Sequence, residues 1–254
     1  FRGRKGAYKK STQQRDAWMK KRVIITGAAG FIGGHLAKRL LLNNNYELYL
    51  IDNLQRGRKD EFFEEILQHP NVKFFNLDLT NPDCLNTLSG SFDYFYHLAA
   101  IVGVKHCVAK PEVVLKTNIL STLNVIEFCK KNKVGRLLFS STCENYASGF
   151  ELGVVKVPTA EDVPLVIADV KNPRWSYAGS KIVGEQMVIF NSPANYDYVI
   201  VRYHNVFGPR MGFAHVIPEV LHRLIKKENP FKIIGGDQTR SFCYIDEAIT
   251  QTIL

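Results

Sequence analysis

The sequence predicts an α/β fold built on a parallel, doubly wound sheet with helices on both faces. Three observations predict it. Short apolar runs alternate with stretches of helical periodicity from residue 22 to residue 203. A turn with a glycine at every third position, Gly27-Ala28-Ala29-Gly30-Phe31-Ile32-Gly33, falls between the first run and the first helical stretch. An acid, Asp52, closes the second run.

The elements follow in order. Arg22 to Gly27 is apolar and ends in glycine, as a buried parallel strand does. Gly30 to Leu42 places Ile32, Leu36, Leu40 and Leu41 on one helical side, and Asn43-Asn44-Asn45 breaks it. Glu47 to Asp52 is a second strand, and a helix is predicted near 60–68 after a loop rich in Arg and Lys. Val72 to Asp78 is a third strand, and Asn81-Pro82-Asp83 opens a short helix. Phe92 to Leu98 is the fourth strand, a long helix covers 112–132, and Arg136 to Ser141 is the fifth strand. A loop of some 30 residues with several prolines then precedes a helix from Tyr177 to Phe190; loops that long usually build a site or a lid. Tyr198 to Tyr203 is the sixth strand.

Composition narrows the class. At 254 residues, 46% hydrophobic and 22% charged, the chain is an ordinary globular one that holds one α/β domain and part of a second. The net charge of +9 is local, because residues 1–22 carry nine basic side chains against Asp16. The rest is nearly neutral, so no nucleic-acid partner is expected. The leader, residues 1–21, reads as a solvated tail or linker, or as a basic arm for an acidic partner. Five cysteines without a CxxC pair suggest reduced thiols in a cytoplasmic setting, with no metal site. No apolar run reaches the length of a membrane span. The chain starts at Phe1 and is expected to be a fragment.

The glycine turn is suited to a dinucleotide. Gly27 permits a tight turn, Gly30 admits a pyrophosphate close to the backbone, and Gly33 allows helix and sheet to pack closely. The helix N-terminus adds free amides and a positive dipole end. Asp52, 25 residues past Gly27, would accept from the adenosine ribose and repel a 2′-phosphate, which favours NAD. Arg56 and Arg58 stand just behind it and pull the other way, and Asp52 capping its own loop is the plain alternative.

Tyr177-Ala178-Gly179-Ser180-Lys181 is YxxxK, which puts a phenol and an ammonium on one helix face. A nearby ammonium is expected to lower the phenol's pKa, so that Tyr177 can take a hydroxyl proton while hydride leaves for NAD. Ser140-Ser141-Thr142 ends the fifth strand at the sheet's carboxyl edge. Thr142, or else Ser141, would hydrogen-bond the reacting oxygen.

These motifs, with Asp78-Leu79, His97-Leu98-Ala99-Ala100 and Asn118 in the same order, resemble the extended short-chain dehydrogenase/reductases. Within them the chain looks like the NAD-dependent epimerase/dehydratase family acting on nucleotide sugars. The resemblance implies a Rossmann domain over 22–203 and the start of a smaller, incomplete substrate-binding domain over 204–254. It implies Asp78 and Leu79 beside adenine, and Ala99 and Ala100 beside the pyrophosphate and nicotinamide ribose. Lys181 would also hold that ribose. Phe31, Ile32, Asn53, Leu98, Asn118 and Tyr203 fall in the same cofactor site. Asn205 and Arg210, in Arg202-Tyr203-His204-Asn205-Val206-Phe207-Gly208-Pro209-Arg210, and Arg240, in a later strand, match segments that meet the sugar diphosphate. A homodimer through the two long helices is also implied.

The resemblance implies oxidation of a sugar hydroxyl, usually at C4, with the reduced cofactor retained. Glu144 makes a T-x-E order like that of UDP-glucuronate decarboxylases and 4,6-dehydratases. Dehydratases carry Asp between Thr and Glu, where this chain has Cys143. Cys143 stands where some 3,5-epimerases carry a catalytic thiol; a packed, inert thiol is the alternative. The expectation is a nucleotide-sugar epimerase, with UDP-glucuronate decarboxylase as the second reading. An NAD-binding module without turnover is the reading from another class.

Overall fold

The computed structural model describes residues 20–254 except 214, 234, 237 and 238. The leader thus lies outside the described residues, save for Lys20 and Lys21. Six parallel strands form the main sheet: β1 (Lys21–Thr26), β2 (Tyr46–Ile51), β3 (Val72–Phe75), β4 (Phe92–His97), β5 (Val134–Thr142) and β6 (Asp197–Tyr203), in the order β3-β2-β1-β4-β5-β6. The reversal of direction beside β1 creates a crevice at the carboxyl edge.

Both faces of the sheet are covered, which is why the strands read as continuous apolar runs. Ile24, Ile51, Phe95, Leu137 and Phe139 point to one face, under α4 (Pro111–Lys131) and α6 (Ser176–Asn191). Val23, Ile25, Leu48, Leu50 and Leu138 point to the other, under α1 (Phe31–Leu41) and α2 (Glu61–Leu67). Each fully buried Phe, Leu or Ile contributes about 1.5–3 kcal/mol. Two shorter helices, α3 (Val104–Ala109) and α5 (Ala147–Glu151), flank the crevice loops.

Four local details refine the expectations. The third strand stops at Phe75, which leaves Asp78 in a loop where its carboxylate accepts from the Thr80 amide. The short helix expected to open at Asn81-Pro82-Asp83 is a 3-10 turn at Cys84–Thr87, with Asp83 at its cap. The predicted long helix is preceded by a separate α3, because the fixed φ and missing amide of Pro111 suit a fresh first turn. The 30-residue loop begins with a 3-10 turn (Cys143–Tyr146) and α5.

Beyond β6, β7 (Asn205–Phe207) pairs with β8 (Phe242–Tyr244) in a separate two-stranded sheet, with α7 (Val216–Ile225) between them in sequence. Arg240 therefore precedes its strand instead of lying in it. The last helix, α8 (Ile245–Ile253), returns to the main core, where Ile245, Ala248 and Ile249 join Leu36 and Ala37 of α1.

Helix α6 lies tightly on the sheet at Gly184, where a Cβ would come 2.4 Å from Cζ of Phe139. The Gly184→Ala variant is expected to lose about 1–3 kcal/mol through overpacking. Urea denaturation followed by circular dichroism checks this.

Candidate active site

The carboxyl edge of the sheet collects the predicted residues from separate strands. Gly27 follows β1, Asp52 follows β2, Leu98 to Ala100 follow β4, and Thr142 ends β5. The glycine turn is crowded by backbone. Gly27 has φ +68°, and a Cβ on Gly33 would lie 2.2 Å from the Gly27 carbonyl oxygen. That leaves no room for a side chain and draws α1 onto the end of β1. No side chain caps the start of α1. Its first amides are left for an anion, so the turn fits a pyrophosphate.

The side chain of Asp52 is held by two amides, Ala29 N at 3.0 Å and Leu54 N at 2.8 Å. Burial pushes its carboxyl up, and these two hydrogen bonds oppose the push. Asp52 thus caps its loop and also retains acceptor sites for a ribose. The Nη1 of Arg56 is bonded to the Val102 carbonyl at 2.7 Å, across from β2 to the loop after β4. The Asn53 carboxamide turns back to the Gln55 amide. Phe31 and Ile32 are half-buried against the α1 side of the core.

Sequence reading gave no role to Thr26 or His97, which hold the loop after β4. The Thr26 hydroxyl accepts from the amides of Leu98 at 3.2 Å and Ala99 at 3.3 Å, so its own proton goes to His97 Nδ1 at 2.9 Å. The His97 Nε2 proton then goes to Thr122 Oγ1, which donates to the Asn118 carbonyl. Burial and, after it, the nearby Lys181 push His97 down to about 3, so the ring is neutral. The available signal was a buried His at the end of a parallel strand.

Tyr177, Lys181 and Thr142 come together. The ammonium of Lys181 is buried, donates to the Ser140 carbonyl at 2.7 Å, and lies 5.8 Å from the centre of the Tyr177 ring. Burial brings Lys181 down to about 7, with Glu185 opposing. The expected lowering of the Tyr177 phenol is not found. Burial raises it instead, and the hydrogen bond from Thr142 only partly offsets this. Burial outweighs the other influences on the phenol, while the ammonium, 5.8 Å from the ring centre, is directed to the Ser140 carbonyl.

For Cys143 the packed, inert alternative is the one that its surroundings favour. Burial, and secondarily Glu144, raise its thiol to about 11, which works against a reactive thiolate. The Glu144 carboxylate lies within 3.8 Å of the Arg174 guanidinium. Several other predicted residues are committed to the scaffold. Asn118 is buried and bonds both backbone groups of Ile101 and the Ser180 hydroxyl. Leu79 lies in the core. The Tyr203 hydroxyl pairs with Thr252 on α8 at 2.7 Å.

Arg210 departs most from expectation. Its guanidinium makes two bonds to Asp60, 2.8 and 3.0 Å, and reaches the carbonyls of Gly30 and Ala29. It therefore grips the outside of the glycine turn. Asn205 donates to the Ser241 carbonyl between β7 and β8. Arg240 is exposed and close enough to Cys143 to favour its thiolate.

A Rossmann sheet, a glycine turn with uncapped helix amides and a Thr–Tyr–Lys group are the features of a dinucleotide-dependent enzyme. The chain matches the NAD dependent epimerase/dehydratase family over residues 23–254 and belongs to it. Its cofactor is NAD. It is 32% identical to a UDP-N-acetyl-alpha-D-glucosaminuronate decarboxylase from Bacillus cytotoxicus, over 92% of this chain and 71% of that protein. Its structure resembles a UDP-N-acetylglucosamine 4-epimerase from Methanobrevibacter ruminantium M1 in complex with UDP-N-acetylmuramic acid, with TM-score 0.78, 30% identity, and 92% and 72% of the two chains covered. It also resembles a UDP-glucuronic acid 4-epimerase from Bacillus cereus in complex with UDP-glucuronic acid and NAD, with TM-score 0.77, 27% identity, and 91% and 72% covered. Among the described residues, no helix is long and apolar enough to cross a membrane.

Two outcomes follow from this geometry. Arg210→Ala should weaken NAD binding about tenfold, the weight of one charge-assisted hydrogen bond in the support of the turn; titration of cofactor-free protein measures it. The second concerns Lys181, whose folded pKa of about 7 lies below its ordinary 10.5. Between these values the unfolded chain binds the extra proton, so Lys181 makes stability rise with pH. At and below pH 7 the burial cost of the charge is fully present. Lys181→Met should therefore flatten this rise, its stability relative to the parent protein declining as pH increases from 7 to 10.5. Urea midpoints across that range test the sign.

Proposed function

We propose that this protein is an NAD-dependent nucleotide-sugar epimerase that works by transient oxidation of a sugar hydroxyl, at C4 by family analogy. The observation that carries the reading is the meeting of Thr142, Tyr177 and Lys181 at the carboxyl edge, across the crevice from the glycine turn.

Bound NAD supplies a reversible hydride acceptor. The chain's own groups handle the proton. Thr142 hydrogen-bonds the reacting oxygen and opposes the burial that holds the Tyr177 phenol up, Tyr177 takes the proton, and Lys181, when protonated, places a positive charge 5.8 Å from that ring. With its pKa near 7, Lys181 is poised to shift protons at neutral pH. Phe31, Ile32, Asp52 and Asn53 line the dinucleotide end, with Asp78 at its margin. Leu98, Ala99 and Ala100, held by Thr26, line its middle. Asn205 and Arg240 take the sugar diphosphate, for which an arginine fork is suited.

UDP-glucuronate decarboxylase is the second reading, and Glu144 favours it. A carboxylate two residues past Thr142 and within electrostatic reach of Tyr177 can move a proton at the carbon beside the new ketone.

We also propose that residues 204–254 begin a substrate-binding domain, and that the protein acts in the cytoplasm as a homodimer. Five unpaired cysteines support the compartment. Exposed Val113, Leu115 and Leu123 on α4, with Val183, Ile189 and Phe190 on α6, support pairing through those helices.

Assays with UDP-glucose, UDP-glucuronate and GDP-mannose test the reading. Epimer formation without net cofactor consumption is expected, and carbon dioxide released from UDP-glucuronate would install the decarboxylase instead. Tyr177→Phe should keep NAD and lose about a thousandfold or more in kcat. Undiminished turnover in that variant would leave only a dinucleotide-binding module.

A further inference from the structure

An ion pair of a buried carboxylate and a half-buried guanidinium stands behind the site. Glu185 lies one turn past Lys181 on α6, and Arg202 lies on β6 opposite Ser141 in the sheet register. Arg202 grips both carboxylate oxygens of Glu185, at 2.9 and 2.7 Å. Ser141 donates to the same carboxylate. So does Asn145, at 3.0 Å, and Asn145 also donates to Ser141 Oγ at 3.1 Å. Arg202 reaches further, to the Tyr146 hydroxyl at 2.9 Å and the Glu161 carbonyl at 2.8 Å.

The four segments joined here are those that bear the site. Ser141 adjoins Thr142. Asn145 and Tyr146 belong to the turn that carries Cys143 and Glu144. Glu185 shares its helix with Tyr177 and Lys181, and Glu161 lies in the long loop between α5 and α6.

Stability does not account for such a group. Taking the Glu185 carboxylate, and in part the guanidinium, out of water costs so much that apolar residues of like volume often serve as well. Asn145 adds to the cost, because its Oδ1 is buried without a partner. The amide cannot turn over, since that would set its oxygen against the Glu185 carboxylate. What the charges supply is direction: one carboxylate fixes Ser141, Asn145 and Arg202 at once, and an apolar side chain orients none of them.

We propose that the Glu185–Arg202 pair is the positioning element of the active site, holding the 141–146 turn and the Tyr177–Lys181 helix in one register without touching substrate. The proposal rests on the Thr142–Tyr177–Lys181 reading for its effect on turnover, though not for its effect on structure.

Two variants test it in the NAD-loaded protein. Glu185→Gln keeps the volume and removes the charge. Glu185→Met with Arg202→Leu replaces the pair by apolar groups that fold without it. Both should lower kcat about ten- to hundredfold on whichever of UDP-glucose and UDP-glucuronate the parent protein turns over, with KM within about threefold. The double variant should still unfold in one cooperative step, with the buried Ser141 and Asn145 donors, left without the carboxylate, lowering its urea midpoint. Amide exchange over residues 141–147 should quicken in both while the β1 to β4 core stays protected. Parent-like exchange at 141–147, or undiminished kcat in the double variant, overturns the proposal. Should the parent protein turn over neither sugar, the reading of Tyr177 fails on its own, and the exchange result alone still decides the positioning role.

Discussion

Backbone meeting backbone at the first βα turn is the constraint on which the rest depends. The Gly27 carbonyl occupies the space where any side chain at 33 would stand, and the Ala99 backbone occupies that of one at 27. This contact draws α1 down onto β1 and leaves its first amides uncapped. Other elements then close on the same few residues. Asp52 holds the Ala29 amide, and Arg210 holds the Ala29 and Gly30 carbonyls from outside. A phosphate cradle made of backbone needs such a frame, since it has no side chains to lock it.

Burial, more than pairwise attraction, governs the charges at this edge. Desolvation disfavours each charged form, so His97 is neutral, the Tyr177 phenol is held up and Lys181 is brought down to about 7. Lys181 thereby titrates near neutral pH, whereas the Tyr177 phenol is held firmly in its neutral form. The ionised Glu185–Arg202 pair is the contrast. Its hydrogen bonds repay much of the desolvation, and it lies behind the reacting groups, not among them.

The stretch after β6 is interwoven with the main sheet. It sends Arg210 to α2 through Asp60, sends His35 of α1 a carbonyl partner at Pro209, and returns α8 to the core. A sugar held by this stretch would be registered against the cofactor turn by the same contacts.

The order of strands and helices was legible because period and length decide it. So was the glycine turn, whose need for absent side chains is local. YxxxK was legible because helical spacing alone puts Tyr177 and Lys181 on one face. Capping limits blurred the boundaries, as at Pro111 and in the loop after Phe75. Asn145 had no meaning in sequence, since its partners lie at 141 and 185. Arg210 matched a substrate-binding segment, and yet Asp60, 150 residues away, claims its guanidinium. The sequence by itself determined the fold class, the glycine turn and the placing of Tyr177 and Lys181 on one helix face, because these follow from nearest-neighbour geometry. Only the tertiary structure decided where the charges point and how they titrate, because desolvation and long-range hydrogen bonds arise when distant segments close around one another.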